Sequence, residues 1–261
     1  MIERNHKGLR PNGPERTRHM KIARSAAALL LALAMMVPMA GAIRLTEPAP
    51  AETETEELPE SAAADEAWKL LLVNPWNTLP EDFSVELVTL ASCGLKVDKR
   101  IRTDLNEMFF ACREAGLRPL ICSAYRTQAV QTRLYNNKIS RLRAAGYSRE
   151  SAVEEAGRWV AVPGTSEHQT GLALDIVSTG YQVLNKKQAD TPEQKWLMEH
   201  CWEYGFILRY PSDKSEITGI SYEPWHYRYV GKEAALAMRD SGQCLEEYLE
   251  ALEEEAADER T

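Results

Sequence analysis

The amino-acid sequence predicts an α+β fold, a small antiparallel sheet accompanied by helices. Two observations carry this expectation. Segments of helical apolar periodicity precede and punctuate a small set of short apolar runs of strand length. The later runs are expected to pair as an antiparallel sheet. There is no internal repeat, so a solenoid is excluded.

The elements follow in order. Lys69–Asn74 reads as a short apolar strand entering a proline-rich loop, Pro75–Pro80. Asp98–Ala115 carries Ile101, Leu105, Met108, Phe109 and Cys112 on one stripe, which makes it a buried helix closed by Gly116. Arg118–Ala124 is a strand. Thr127–Ala145 is a polar-faced helix ending at Gly146, and Ser148 caps another that runs to Gly157. Gly171–Val177 alternates and runs apolar, as a buried strand does. Thr191-Pro192-Glu193-Gln194 is a capping box with proline at the first helical position, opening a helix that runs to Tyr204. Gly205–Tyr210 and Ser221–Val230 are two further strands, and Gly231–Asp240 is a helix.

The charges divide the chain into a neutral body and charged flanks. The formal charge of −8 at pH 7 is concentrated in two acidic stretches, 44–66 and 246–261, while 67–245 is nearly balanced. A nucleic-acid partner, which would need a basic stripe on the folded part, is therefore not expected. Ser25–Ile43 is free of charge, follows Lys21 and Arg24, and ends in Met39-Ala40-Gly41-Ala42, the small-x-small form of a signal-peptidase site. Residues 1–43 thus read as a signal peptide or a retained membrane anchor, with translation starting at Met1 or Met20. Either version brings the N-terminus into contact with a membrane and exports the body. Residues 44–66 read as an acidic, self-repelling linker, 67–241 as the body, acting as a monomer, and 242–261 as an acidic helix or tail docked weakly on it.

The five cysteines (93, 112, 122, 201, 244) form no disulfide framework, and an odd number leaves at least one thiol without an intrachain partner. Cys112 and Cys122 read as small core residues.

Two segments carry the chemistry. Outside the basic N-terminus the histidines are His168, His200 and His226. His168 lies in Ser166-Glu167-His168-Gln169-Thr170-Gly171-Leu172-Ala173-Leu174-Asp175, and His226 closes Glu223-Pro224-Trp225-His226. Two imidazoles, a carboxylate and a spare glutamate are what a hydrolytic zinc site needs: three ligands leave a fourth position for water, and the glutamate takes its proton. On a strand from Leu172, Asp175 shares a face with Ala173, opposite Leu172 and Leu174. One tension is visible, since residues 223 and 226 on a flat strand would face opposite ways unless Pro224 or a bulge bends the chain. His200 reads as a packing or surface residue, and the aromatics Tyr222, Trp225, Tyr227 and Tyr229 read as core. In Ser123-Ala124-Tyr125-Arg126, Arg126 is either a surface charge or a bidentate clamp for a carboxylate.

Taken together, Ser166-x-His168-x-x-Gly171-x-Ala173-x-Asp175, Glu223-Pro224-Trp225-His226 and Ser123-x-Tyr125-Arg126 resemble the signatures of the VanY-type zinc D-Ala-D-Ala carboxypeptidases. The resemblance spans the body, from Leu71 to Gly231, and departs at Val162, where a basic residue is expected in many relatives. It implies the α+β zinc-peptidase fold shared with the Hedgehog signalling domain. It further implies Zn2+ on His168, Asp175 and His226, Glu223 as general base and then acid, and Tyr125, Arg126, Ser123, Gln131 and Ser166 along the substrate pocket. The implied activity is removal of the terminal D-alanine from peptidoglycan stem peptides outside the cytoplasmic membrane. The alternatives are an L,D-carboxypeptidase or peptidoglycan endopeptidase of the same fold, or a zinc-containing wall-binding module without catalysis. Glu223 speaks against the last, since a purely structural metal has no use for that base.

Overall fold

The computed structural model describes residues 66–260. The expected leader over 1–43 and linker over 44–66 lie outside the described residues, Glu66 excepted. Among the described residues no helix is long and apolar enough to cross a membrane.

A short antiparallel pair, β1 (Leu87–Thr89) and β2 (Lys96–Asp98), leads into α1 (Arg102–Glu114). Then come β3 (Pro119–Ser123), α2 (Gln128–Ala144), α3 (Arg149–Gly157), β4 (Ala173–Ser178) and α4 (Pro192–His200). They are followed by β5 (Phe206–Leu208), the single turn α5 (Ser215–Thr218), β6 (His226–Tyr229), α6 (Lys232–Ser241) and α7 (Leu245–Asp258). The main sheet has four antiparallel strands in the order β3-β4-β6-β5, so the α+β expectation holds.

The expected caps form. Thr127, Ser148 and Thr191 each accept a backbone N–H of the first turn they precede. The stripe of α1 is buried as its spacing requires: Leu105, Met108 and Phe109 pack with Leu174 and Ile176 of β4 in the main core. Each such side chain contributes roughly 1.5–3 kcal/mol. β4 is buried on both faces, because its second face carries Ala173 and Asp175 toward the site. Gly171, just before β4, has φ of 79°. A Cβ there would come 2.8 Å from the Asp98 backbone nitrogen, which donates to the Gly171 carbonyl at 3.0 Å. Only glycine permits that approach.

Four expectations change. Lys69–Asn74 is not a strand: Ala67–Leu70 is a 3-10 turn, and the Lys69 and Leu71 carbonyls accept from the buried Arg228 guanidinium instead of a neighbouring strand. The strand expected over Ser221–Val230 begins only at His226. Cys122 is exposed, at an irregularity of register between Ile121 and Ser123. All five thiols are free. The last change concerns the acidic C-terminal helix, which is anchored firmly at its first turn. Leu245 is fully buried, and Glu246 takes both Nη atoms of the buried Arg209, at 2.8 and 2.7 Å, and the Asn74 amide at 3.0 Å.

Candidate active site

The register of the sheet builds the site. Asp175 of β4 lies opposite His226, the first residue of β6, on one side and Ser123 of β3 on the other. His168 arrives on the 3-10 turn Glu167–Gln169 just ahead of β4. Its carbonyl accepts from the Arg126 backbone at 2.9 Å, which ties that turn to the loop after β3. As a result Asp175 Oδ1 is 3.3 Å from His168 Nε2 and 3.2 Å from His226 Nδ1.

These three residues fit a metal. His168 Nδ1–H donates to the Ala124 carbonyl at 2.8 Å, which leaves the Nε2 lone pair facing the carboxylate. His226 Nε2 faces Glu167 Oε2 at 3.4 Å, which leaves Nδ1. Asp175 Oδ1 is buried without a hydrogen bond despite two nearby ring nitrogens, an arrangement that is costly unless a cation sits among them. Ligands about 2.0–2.1 Å from a tetrahedral zinc stand roughly 3.4 Å apart; the two spacings to Asp175 Oδ1 agree, and all three ligand atoms lie within 4.8 Å of one another. Burial and the Arg126 charge push the His168 imidazole down to about 4, so it is in the neutral, ligating form. At His226 burial acts in the same direction but is outweighed by Asp175 and Glu167, and the ring rises to about 9. For Asp175, His168 and Arg126 overcome the effect of burial and hold the carboxyl well below the usual carboxylate range.

Glu223 stands beside this group without belonging to the sheet. Its N–H donates to the Tyr210 carbonyl and its own carbonyl accepts from the His226 N–H, each at 3.1 Å. Pro224 and Trp225 form the turn between them. That turn removes the tension over facing: Glu223 Oε2 is 3.8 Å from His226 Nδ1. Burial pushes the Glu223 carboxyl up to about 8 against the pull of His226. A carboxyl titrating near neutrality can both accept and return a proton.

Behind the site lies a buried ion network that the sequence alone did not reveal. Glu167 Oε1 accepts from Arg209 Nε at 2.8 Å and Arg228 Nη1 at 2.6 Å, and all three side chains are fully buried. These two guanidiniums overcome burial and keep Glu167 ionised, so it can fix the orientation of His226 as a carboxylate behind a ligand histidine does. The available signal was an arginine inside each of two apolar strand patterns, Gly205–Tyr210 and Ser221–Val230.

The residues expected along the substrate pocket separate into two groups. Arg126 and Ser166 line the cavity together with Glu223 and the three potential ligands. Ser123, Gln131 and Tyr125 are not on its wall. Ser123 Oγ accepts from Arg126 Nε at 2.9 Å. Gln131 is fully buried, with its amide satisfied by the Ala161 carbonyl at 2.7 Å and its oxygen 3.4 Å from Arg126 Nη1. Arg126 Nη2 donates to Asp175 Oδ2 at 2.6 Å. The guanidinium is thus held from behind and braces Asp175, and its remaining N–H groups are left for the cavity.

The family model for VanY, D-alanyl-D-alanine carboxypeptidase, matches residues 94–232. The chain belongs to the VanY family. A D-alanyl-D-alanine carboxypeptidase of Enterococcus faecalis is 46% identical over 185 residues, 71% of this chain and 67% of that protein. Two solved structures are similar over 70% of this chain at 46% identity. One is a vancomycin-resistance D,D-pentapeptidase, VanY, in complex with Zn(II), with a TM-score of 0.64 and 99% of that chain covered. The other is VanYB in complex with D-alanine-D-alanine, with a TM-score of 0.65 and 98% covered. This VanY-family chain is a zinc hydrolase of the α+β peptidase fold, and its His168, Asp175 and His226 form the one group suited to a metal among the described residues.

Proposed function

We propose that the protein is an exported zinc D-alanyl-D-alanine carboxypeptidase that removes the terminal D-alanine of peptidoglycan stem peptides. The carrying observation is the convergence of His168, Asp175 and His226 around an unbonded carboxylate oxygen, with the buried Glu223 beside them. His168, Asp175 and His226 would hold the zinc, which would supply polarisation of the scissile carbonyl and a more acidic attacking water. Glu223 takes the proton of that water and returns it to the leaving amine. Arg126, braced by Ser123, Gln131 and Asp175, turns its free N–H groups to the substrate's terminal carboxylate. Tyr210 and Trp225, both buried on the cavity wall, limit the access of water to the reaction. The basic-then-apolar N-terminus supports export, with the leader either cleaved or kept as an anchor, and with a monomeric body facing the wall.

The test is release of D-alanine from an N-acylated peptide ending in D-Ala-D-Ala, compared with its C-terminal amide. Losing one or two charge-assisted hydrogen bonds should lower kcat/KM for the amide by on the order of 1.5–3 kcal/mol each. Changing the substrate is cleaner than changing Arg126, because Arg126 also holds Asp175. Equal rates on acid and amide would move the assignment to an endopeptidase.

A second expectation concerns protons. His226 is raised to about 9 and so carries a proton at pH 7, yet it must be neutral to ligate. Zinc added to the metal-free protein in weak buffer near pH 7 should release at least one proton per metal, from His226 and in part from Glu223, which is raised to about 8, and affinity should rise with pH up to about 9. A pH-indicator titration reads this, and uptake without proton release would remove His226 from the ligand set.

A further inference from the structure

The active cavity does not end at the metal ligands. Lys138, Trp159 and Leu184 line both the cavity that holds His168, Asp175 and Glu223 and an adjoining groove that runs to Lys186 and Lys187. On α2, Leu134, Asn137, Lys138 and Arg141 recur at the spacing of one helix face, and all four line the cavity. That face advances about 10 Å, at 1.5 Å per residue, which is the reach of about three extended peptide residues.

The charges along this path are segregated. The carboxylates on the cavity wall are Glu167, Asp175 and Glu223, all at the metal end, and none lines the adjoining groove. Lys138, Arg141, Lys186 and Lys187 form no ion pair among the described residues. Trp159 gives the path an apolar floor. Its Nε1–H is fixed by Glu155 at 2.8 Å, and Lys138 Nζ stands 5.2 Å from the ring centroid. Leu184 is 44% exposed at its edge.

We infer that this path is a second subsite, which binds a carboxylate carried by the peptide on the amino-terminal side of the scissile bond through Lys138, Arg141, Lys186 and Lys187. The inference rests on the carboxypeptidase reading above: one residue lies beyond the cut, so an extended groove can be filled only by the part before it. Cations without ion-pair partners among the described residues, at the rim of a cleft whose other end is acidic, raise the local concentration of a ligand with the opposite polarity. The subsite therefore selects peptides that are acidic upstream of the cut.

The test uses two N-acylated peptides ending in D-Ala-D-Ala that differ only by glutamate or glutamine two residues before the cut. Affinity is measured calorimetrically on the zinc-loaded Glu223→Gln full chain, and turnover on the unsubstituted chain. The glutamate peptide should bind roughly five- to tenfold more tightly, the scale of a few partly exposed ion pairs, and the preference should shrink as salt is raised. A Lys138→Gln/Arg141→Gln pair, which removes two of the four cations, should cut the affinity ratio to roughly two- to threefold. Because Lys138 also acts electrostatically on Glu223, the ratio between peptides is the readout, not the absolute rate. A ratio near one in the parent, or one that the double substitution leaves undiminished, overturns the subsite. Charge-selective binding without turnover supports the subsite and counts against the carboxypeptidase reading instead.

Discussion

Glu223→Gln is expected to reduce kcat by about two to four orders of magnitude, the range for losing a positioned general base, while zinc content and thermal unfolding stay close to the parent. The side chain is buried, but among the described residues it makes no ion pair other than its 3.8 Å approach to His226. Glutamine occupies the same volume and avoids burying a charge. Removing Glu223 therefore removes a proton acceptor without opening a hole or orphaning a partner. His168→Ala should behave in the opposite way: it deletes one of three ligand atoms, so metal content falls together with activity. Metal analysis alongside kcat separates the two roles. A Glu223→Gln protein that has lost its zinc, or that keeps near-parental kcat, would sink the base assignment.

The second large effect is expected at a residue that makes no direct contact with the proposed metal. Glu167→Ala should cost about 3–5 kcal/mol of stability, the usual result of deleting one partner of a buried ion pair. Zinc affinity should fall by roughly 10–100-fold, as for other partners of ligand histidines. Arg209 would keep Glu246, but Arg228 would keep only the carbonyls of Lys69, Leu71 and Tyr229, and His226 Nε2 would lose its orienting oxygen. Glu167→Gln keeps an acceptor while removing the charge, so it should fall between the two. Denaturant unfolding and competitive zinc titration measure both quantities. An alanine variant within about 1 kcal/mol of the parent and with unchanged zinc affinity would show that the network is not what holds His226.

The same network explains why the C-terminal helix is part of the folded unit despite its acidic composition. Glu246 holds Arg209, Arg209 holds Glu167, and Glu167 faces His226. A continuous set of charged contacts thus joins α7, beyond the stretch matched by the family model, to the metal-binding face. From sequence, the glutamates of 246–255 read as one solvated surface. Only the fold distinguishes Glu246, which is turned inward, from its neighbours.

What the sequence determined by itself was local. Caps at Thr127, Ser148 and Thr191, the apolar stripe of α1 and the buried run of β4 follow from periodicity and hydrogen-bonding chemistry within a few residues, and those elements form where expected. The types and order of His168, Asp175, Glu223 and His226 were also legible, because a hydrolytic metal site needs that set of side chains. The tertiary structure decided everything that depends on which backbone lies beside which. The antiparallel register places Asp175 between Ser123 and His226, and the fold chose a turn at Pro224-Trp225, which the sequence offered only as an alternative to a bulge, to swing Glu223 toward His226. Arg126 read as either a surface charge or a carboxylate clamp until the fold set Ser123, Gln131 and Asp175 around it. Arg209 and Arg228 carried no sign of a partner within two strand patterns; only the fold brings Glu167 between them. A buried charge is tolerated only where partners from distant parts of the chain converge on it, and sequence spacing carries no record of that convergence.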